Sequence, residues 1–363
     1  MVFSFSFAGD DIEEDNQAPA PPPPPTAPSP AAPGAFPVQG KPLLPPTRHE
    51  LDDILSKLPS KIAFGLLDID LGDGRTIQLP RRELWDVRVQ LMAEENTDNP
   101  SESEAGLGDH DVKTGIYEGG FKSWESSVDL VKVLATEKVA DVLAQDPCVL
   151  IELGCGTALP SLALFQWALA ARKSEQRQGL VLTLADYNPT VLYLVTLPNL
   201  VLAWALQQRG QNPALGEAFT PDDELELTPE VLEAFKQSLS SSQITLSFLS
   251  GAWSAEFVSL LYNSIPGTLA HTTKTLVLGS ETIYSPFALD TFSATLLSIL
   301  QRERRDRPMG NARALIAAKR LYFGVGGSLD DFIDRMRGLG TSVRSLFEET
   351  RGVHRGVVEC LLS

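Results

Sequence analysis

The stretch Glu152-Leu153-Gly154-Cys155-Gly156-Thr157 puts two glycines at alternate positions directly after an apolar run, 148–153. Glycine lets the backbone turn sharply and approach a ligand without a Cβ in the way. A helix is expected from Pro160, and a helix N-terminus offers free N–H groups and a partial positive charge to an anion. A second apolar run, 180–185, ends on Asp186, whose carboxylate can accept both hydroxyls of a ribose. Position 159 is leucine, so the third glycine of a dinucleotide fingerprint is missing. No Gly-Lys-Ser/Thr follows to cradle a triphosphate. A glycine loop with a ribose acid and no phosphate machinery suits an adenosine with an amino-acid tail, a description that S-adenosylmethionine fits. The cofactor-binding candidates here are Glu152, Gly154, Cys155, Gly156, Asp186 and Asn188.

These residues need strands and helices in a fixed order to meet. Apolar periodicity predicts helices over 127–143, 160–171, 190–208, 287–302 and 329–339. Between them lie short apolar runs at 148–153, 180–185, 244–249, 275–279 and 312–319, with two closing strands at 342–348 and 356–362. Continuous apolar strands joined by helices imply an α/β fold with a mostly parallel sheet covered on both faces. In an open sheet of this kind, ligands bind outside the carboxyl ends of the strands.

Ahead of this unit, 50–58 reads as a short amphipathic helix and 61–79 as two strands around Gly72-Asp73-Gly74. The expected layout is a disordered acidic and Pro-rich segment over 1–47, a small N-terminal appendage over 48–108, and the main domain over 109–363. Half of the 26 prolines fall between Pro19 and Pro46, which favours an extended spacer. Residues 217–242, with Asp222, Asp223, Glu224, Glu226 and a serine run, read as a solvated, partly disordered insertion.

The formal net charge of −17 disfavours a nucleic-acid phosphate backbone and suits a basic protein partner. Three cysteines and four scattered histidines show no metal-ligand spacing, so no metal is expected. The N-terminus lacks a basic flank and a long apolar core, and no apolar run of membrane-spanning length is read. A monomer of the cytoplasm and nucleus is expected.

Two further stretches narrow the class: Gly115-Ile116-Tyr117-Glu118-Gly119-Gly120-Phe121-Lys122-Ser123-Trp124-Glu125 and Gly279-Ser280-Glu281-Thr282-Ile283-Tyr284-Ser285-Pro286. With the glycine loop they resemble the protein-histidine N-methyltransferases, a branch of the seven-strand methyltransferases that also holds protein-lysine enzymes. The resemblance covers roughly Glu50 to the C-terminus, with the Pro-rich segment and the 217–242 insertion outside it. It implies a Rossmann-like seven-stranded class I methyltransferase sheet and methylation of a histidine in a large-subunit ribosomal protein.

At residue level, the Trp124 ring can cover the cofactor, and Lys122 or Glu125 can contact its polar groups. Trp253 can stack on adenine, and Ser280 sits with the cofactor set. Glu281 and Tyr284 follow the fourth strand, where the methyl group should emerge, and are the catalytic candidates. A histidine acceptor is mainly neutral at cytosolic pH and needs no strong base. An oxygen from the Glu281–Tyr284 loop or from 109–111 would fix its tautomer. A lysine acceptor would instead have to lose a proton first. The open alternatives are a protein-lysine methyltransferase and a non-catalytic acidic binding protein.

Overall fold

The computed structural model describes residues 37, 40, 42–72, 74–95, 119–171, 179–267, 269–322 and 326–363. Most of the expected proline spacer, 96–111 and the Gly115–Glu118 part of the family stretch lie outside the described residues.

In chain order, β1 (Thr47–His49) and α1 (Leu51–Leu55) lead to the hairpin β2 (Lys61–Gly72) and β3 (Arg75–Arg82), then α2 (Leu84–Glu95). Next come α3 (Glu125–Thr136), α4 (Val139–Gln145), β4 (Cys148–Leu153), α5 (Leu159–Ala171) and β5 (Leu180–Asp186). One helical run follows, made of α6 (Pro189–Val191), a π-helical turn (Leu192–Thr196) and α7 (Leu197–Gln208). The chain continues with β6 (Glu224–Glu226), α8 (Pro229–Ser241), β7 (Ile244–Ser250), α9 (Ala255–Ser264), β8 (Lys274–Ser280) and α10 (Pro286–Asp306). It closes with β9 (Arg313–Lys319), α11 (Leu329–Gly338), β10 (Thr341–Glu349) and β11 (Arg355–Leu362).

Successive residues of a strand face opposite sides, and β4 shows what that does here. Cys148 and Leu150 enter one core with α3, α5 and α7, whereas Val149, Ile151 and Leu153 enter a second core with α9, α10 and α11. Every residue of β4 is therefore buried. The main sheet has the order β1-β7-β5-β4-β8-β9-β11-β10. β7, β5, β4, β8 and β9 run parallel, with β11 antiparallel to β9 and β10 antiparallel to β11. Seven of these strands, β7 to β10, are the expected class I methyltransferase arrangement. The eighth, β1, pairs antiparallel with β7 and was not foreseen, because three residues carry no readable period.

Four other expectations are corrected. The segment 217–242 is ordered. Val231, Phe235 and Leu239 form one buried face of α8, Thr228 caps it from Oγ1 to the Val231 N–H, and Pro229 occupies its first turn. Its acidic stretch contains β6, which pairs with β2 to complete a three-stranded sheet β3-β2-β6. Charge dominated the sequence pattern, but the apolar i, i+4, i+8 spacing decided the packing. The hairpin is likewise no separate appendage, since Ile62, Phe64 and Leu79 join the core that holds Leu130 and Leu200. Finally, Pro189–Gln208 is long and apolar enough to cross a membrane, with an 18-residue window of mean hydropathy 1.6, but 89% of that window is buried inside the fold. The helix expected over 127–143 divides at Lys138, whose φ of +52° breaks the helical ladder.

Candidate active site

β4, β5 and β8 pair in register, so their carboxyl ends bring Gly154, Asp186 and Ser280 to one edge of the sheet. Gly154 and Gly156 adopt left-handed φ values of +70° and +51°. A Cβ on Gly154 would come within 2.5 Å of Thr282 Cγ2, and one on Gly156 within 3.0 Å of the Gly120 carbonyl. Conformation and space both demand glycine here. The N–H groups of Gly154 and Cys155 donate to the Ala185 carbonyl at 2.8 and 2.9 Å, which locks the loop to β5.

Asp186 Oδ2 accepts from the Gly156 N–H at 3.0 Å, and Oδ1 from the Asn188 N–H at 3.1 Å. Burial pushes its carboxyl up to about 6 despite those bonds. Asn188 lines the same cavity, but its Oδ1 accepts from Thr190 N and Oγ1 at 3.0 and 2.8 Å to cap the next helix. Cys155 is buried and its thiol is pushed well up by burial, which leaves it unreactive.

A cavity of about 970 Å³ runs along this edge. In strand order it passes Asp186 after β5, the glycine loop after β4, Glu281 after β8 and Lys319 at the end of β9. Of the expected site residues, Lys122, Trp124, Gly154, Cys155, Gly156, Asp186, Asn188, Trp253, Ser280, Glu281 and Tyr284 all line it. Glu152 does not. It is buried behind the loop, where Oε2 accepts from the N–H of Ser161 at 3.1 Å and from its hydroxyl. Burial pushes its carboxyl up to about 8. Glu152 braces the start of α5 and is removed from the cofactor set.

Trp253 packs edge-on against Phe292 at 5.4 Å, and its buried Nε1 has no partner among the described residues. The Trp124 ring lies under the Lys319 ammonium, with Nζ 4.8 Å from the ring centroid. Lys319 also lies 5.7 Å from the Tyr322 ring.

Glu281 has a φ of +57°, unusual for a side chain with a Cβ. Its Oε1 accepts from Ser126 Oγ at 2.5 Å and its Oε2 from the Tyr322 hydroxyl at 2.5 Å. Burial raises the Glu281 carboxyl, with these two donors and nearby Lys319 acting in the opposite direction. Burial and the Glu281 charge raise the Tyr322 hydroxyl in turn. The carboxylate thus joins the first turn of α3, the end of β8 and the segment after β9. Ser126, Lys319 and Tyr322 were missed in the sequence, where nothing marks partners 155 and 41 positions away. Tyr284 is half-buried on the cavity wall.

The residues present fit an adenosyl donor with a charged amino-acid tail. A carboxylate ends β5, glycines keep the loop open, and aromatic rings flank the cavity. No family model matches the chain. Histidine protein methyltransferase 1 of Saccharomyces cerevisiae is 40% identical over 266 residues, covering 70% of this chain and 67% of that protein. The protein of the same name from Schizosaccharomyces pombe is 33% identical over 328 residues, covering 88% of this chain and 87% of its own. A homologue from Rattus norvegicus is 32% identical, over 61% of this chain and 50% of its own. Among solved structures, the N-terminal domain of human METTL16 in complex with SAH overlaps 67% of this chain and 72% of its own at 10% identity. The TM-score is 0.35, too slight to add to the fold or the site.

Proposed function

The chain belongs to the histidine protein methyltransferases, and from that premise we propose that it methylates a ring nitrogen of a histidine in a large-subunit ribosomal protein. The observation that carries this reading is a single cavity shared by Asp186, the glycine loop and the Glu281–Tyr284 segment. When bound, S-adenosylmethionine supplies an electrophilic methyl group on a sulfonium. Asp186 would hold its ribose, the Thr157 N–H its carboxylate, and Trp253 its adenine.

The chain's remaining task is alignment, because in-line displacement depends mainly on positioning. The imidazole must offer one nitrogen lone pair and keep its proton on the other nitrogen. Glu281 and Tyr284 supply oxygens at the carboxyl end of β8 for that distal N–H. Glu281 is the better held of the two, being fixed by Ser126 and Tyr322. Leu43, Leu321 and Val353, all exposed, line the same cavity and offer apolar contacts to residues beside the acceptor. A net charge of −17 favours encounter with a basic ribosomal protein. The protein acts as a monomer in the cytoplasm and nucleus on this proposal.

The test is incubation of the purified chain with labelled S-adenosylmethionine and separated large-subunit ribosomal proteins, followed by amino-acid analysis. Methylhistidine in one of these proteins is expected. Methyllysine, or no label in any of these proteins from a chain that binds the donor, would overturn the proposal. No donor binding by a folded chain would point to a non-catalytic binder.

A further inference from the structure

Two carbonyls of the glycine loop are held by one helical segment. Thr196 Oγ1 donates to the Gly156 carbonyl at 2.6 Å, and Asn199 Nδ2 donates to the Thr157 carbonyl at 3.0 Å. Both side chains are buried. Thr196 ends the π-helical turn and Asn199 lies in the first turn of α7. π-turns inside α-helices occur often at functional sites. In this turn the Leu194 carbonyl accepts from the Arg82 guanidinium, whose Nη1 donates to it at 2.9 Å. The backbone N–H of Arg82 donates to Asn199 Oδ1 at 2.8 Å. Arg82 ends β3, and its Nε is paired with Asp86 at 2.7 Å. An unbroken chain of bonds therefore runs from the N-terminal sheet, through Asn199 and the π-turn, to the loop.

A trans peptide points its N–H opposite to its C=O. Drawing the Gly156 carbonyl toward Thr196 turns the Thr157 N–H the other way. Thr157 lines the cavity, and its hydroxyl is tied to Ser123 at 2.9 Å.

We propose that Thr196 and Asn199 are positioning residues for the donor, setting the peptide orientation with which the glycine loop receives the donor's carboxylate. Through Arg82, the three-stranded N-terminal sheet is then a working part of the donor site. This inference rests on the cavity being the donor site. Neither residue is among those that line the cavity, so each acts through the loop.

The experiment is calorimetric titration of the full chain with S-adenosylhomocysteine, alongside donor KM, kcat and thermal midpoint. Thr196→Val keeps the shape and loses the donor hydroxyl. Thr196→Ser keeps the hydroxyl and loses a methyl group. Asn199→Ala removes the bridge. The expected result is a tenfold or greater rise in Kd and donor KM for Thr196→Val and Asn199→Ala. The kcat at saturating donor should change less than threefold, and Thr196→Ser should bind like wild type. If affinity follows volume, so that Ser is impaired and Val is not, the residues merely pack and the proposal is overturned. Unchanged Kd in all three variants overturns it as well. Failure of the wild-type chain to bind would instead remove the donor reading on which it rests.

Discussion

The Tyr322 hydroxyl donates a 2.5 Å hydrogen bond to Oε2 of Glu281, bridging 41 positions of sequence on the cavity wall. With Ser126 on the other oxygen, the carboxylate is fixed before any substrate arrives. Glu281→Gln keeps the shape but removes the charge that attracts an imidazole N–H and orders both donors. A turnover loss of about 100-fold on a histidine substrate is expected, within the range for misplaced reacting groups. Affinity for S-adenosylhomocysteine should stay within about threefold, since Asp186 and the loop are untouched. Equal loss of affinity and turnover would assign Glu281 to the donor.

Asp186 gives the donor site a pH dependence. Its carboxyl is pushed up to about 6, and ribose hydroxyls bind best to the ionised form. Affinity for S-adenosylhomocysteine should fall as pH drops through 6, by at most about tenfold per pH unit for one linked proton. Asp186→Asn should bind about tenfold more weakly at pH 8 and lose that dependence. A wild-type Kd that stays flat from pH 5 to 8 would remove Asp186 as the ribose partner.

Glu152 should govern stability instead. Its folded-state carboxyl lies at about 8, above its ordinary value of 4.5. Over that interval the unfolded chain has released a proton that the folded chain retains. The stability this group contributes is thus complete at low pH and is lost as pH rises, by up to about 1.4 kcal/mol per unit. Glu152→Gln can still accept from Ser161 and cannot ionise. The difference in denaturant midpoint between wild type and variant should shift in the variant's favour from pH 5 to 8. A constant difference would show that the carboxyl does not stay protonated in the fold.

The order of the 217–242 segment is also testable. Phe235 is fully buried, 5.5 Å from Trp204. Phe235→Ala should cost about 3–5 kcal/mol in chemical unfolding, as for aromatic truncation in a core. A loss below about 1 kcal/mol would mean that α8 does not belong to the cooperative unit.

The sequence by itself determined the glycine turn after β4 and the acid that ends β5. Gly154, Gly156 and Asp186 are readable because each requirement is local: a backbone that must turn left-handed, and an acid ending a strand of known apolar pattern. The parallel sheet was legible for the same reason, since a strand buried on both faces such as β4 is apolar at every position but Glu152, which Ser161 satisfies. Charge and loop composition misled at 217–242, where three apolar side chains outweigh an acidic stretch once Trp204 lies beside them. Only the tertiary structure decided which carboxylate faces the cavity. Glu152 and Glu281 both follow apolar strand residues, but one turns back to Ser161 and the other forward between Ser126 and Tyr322. That choice depends on helices and loops remote in sequence, whose hydrogen bonds exist only after the sheet has brought its strand ends together.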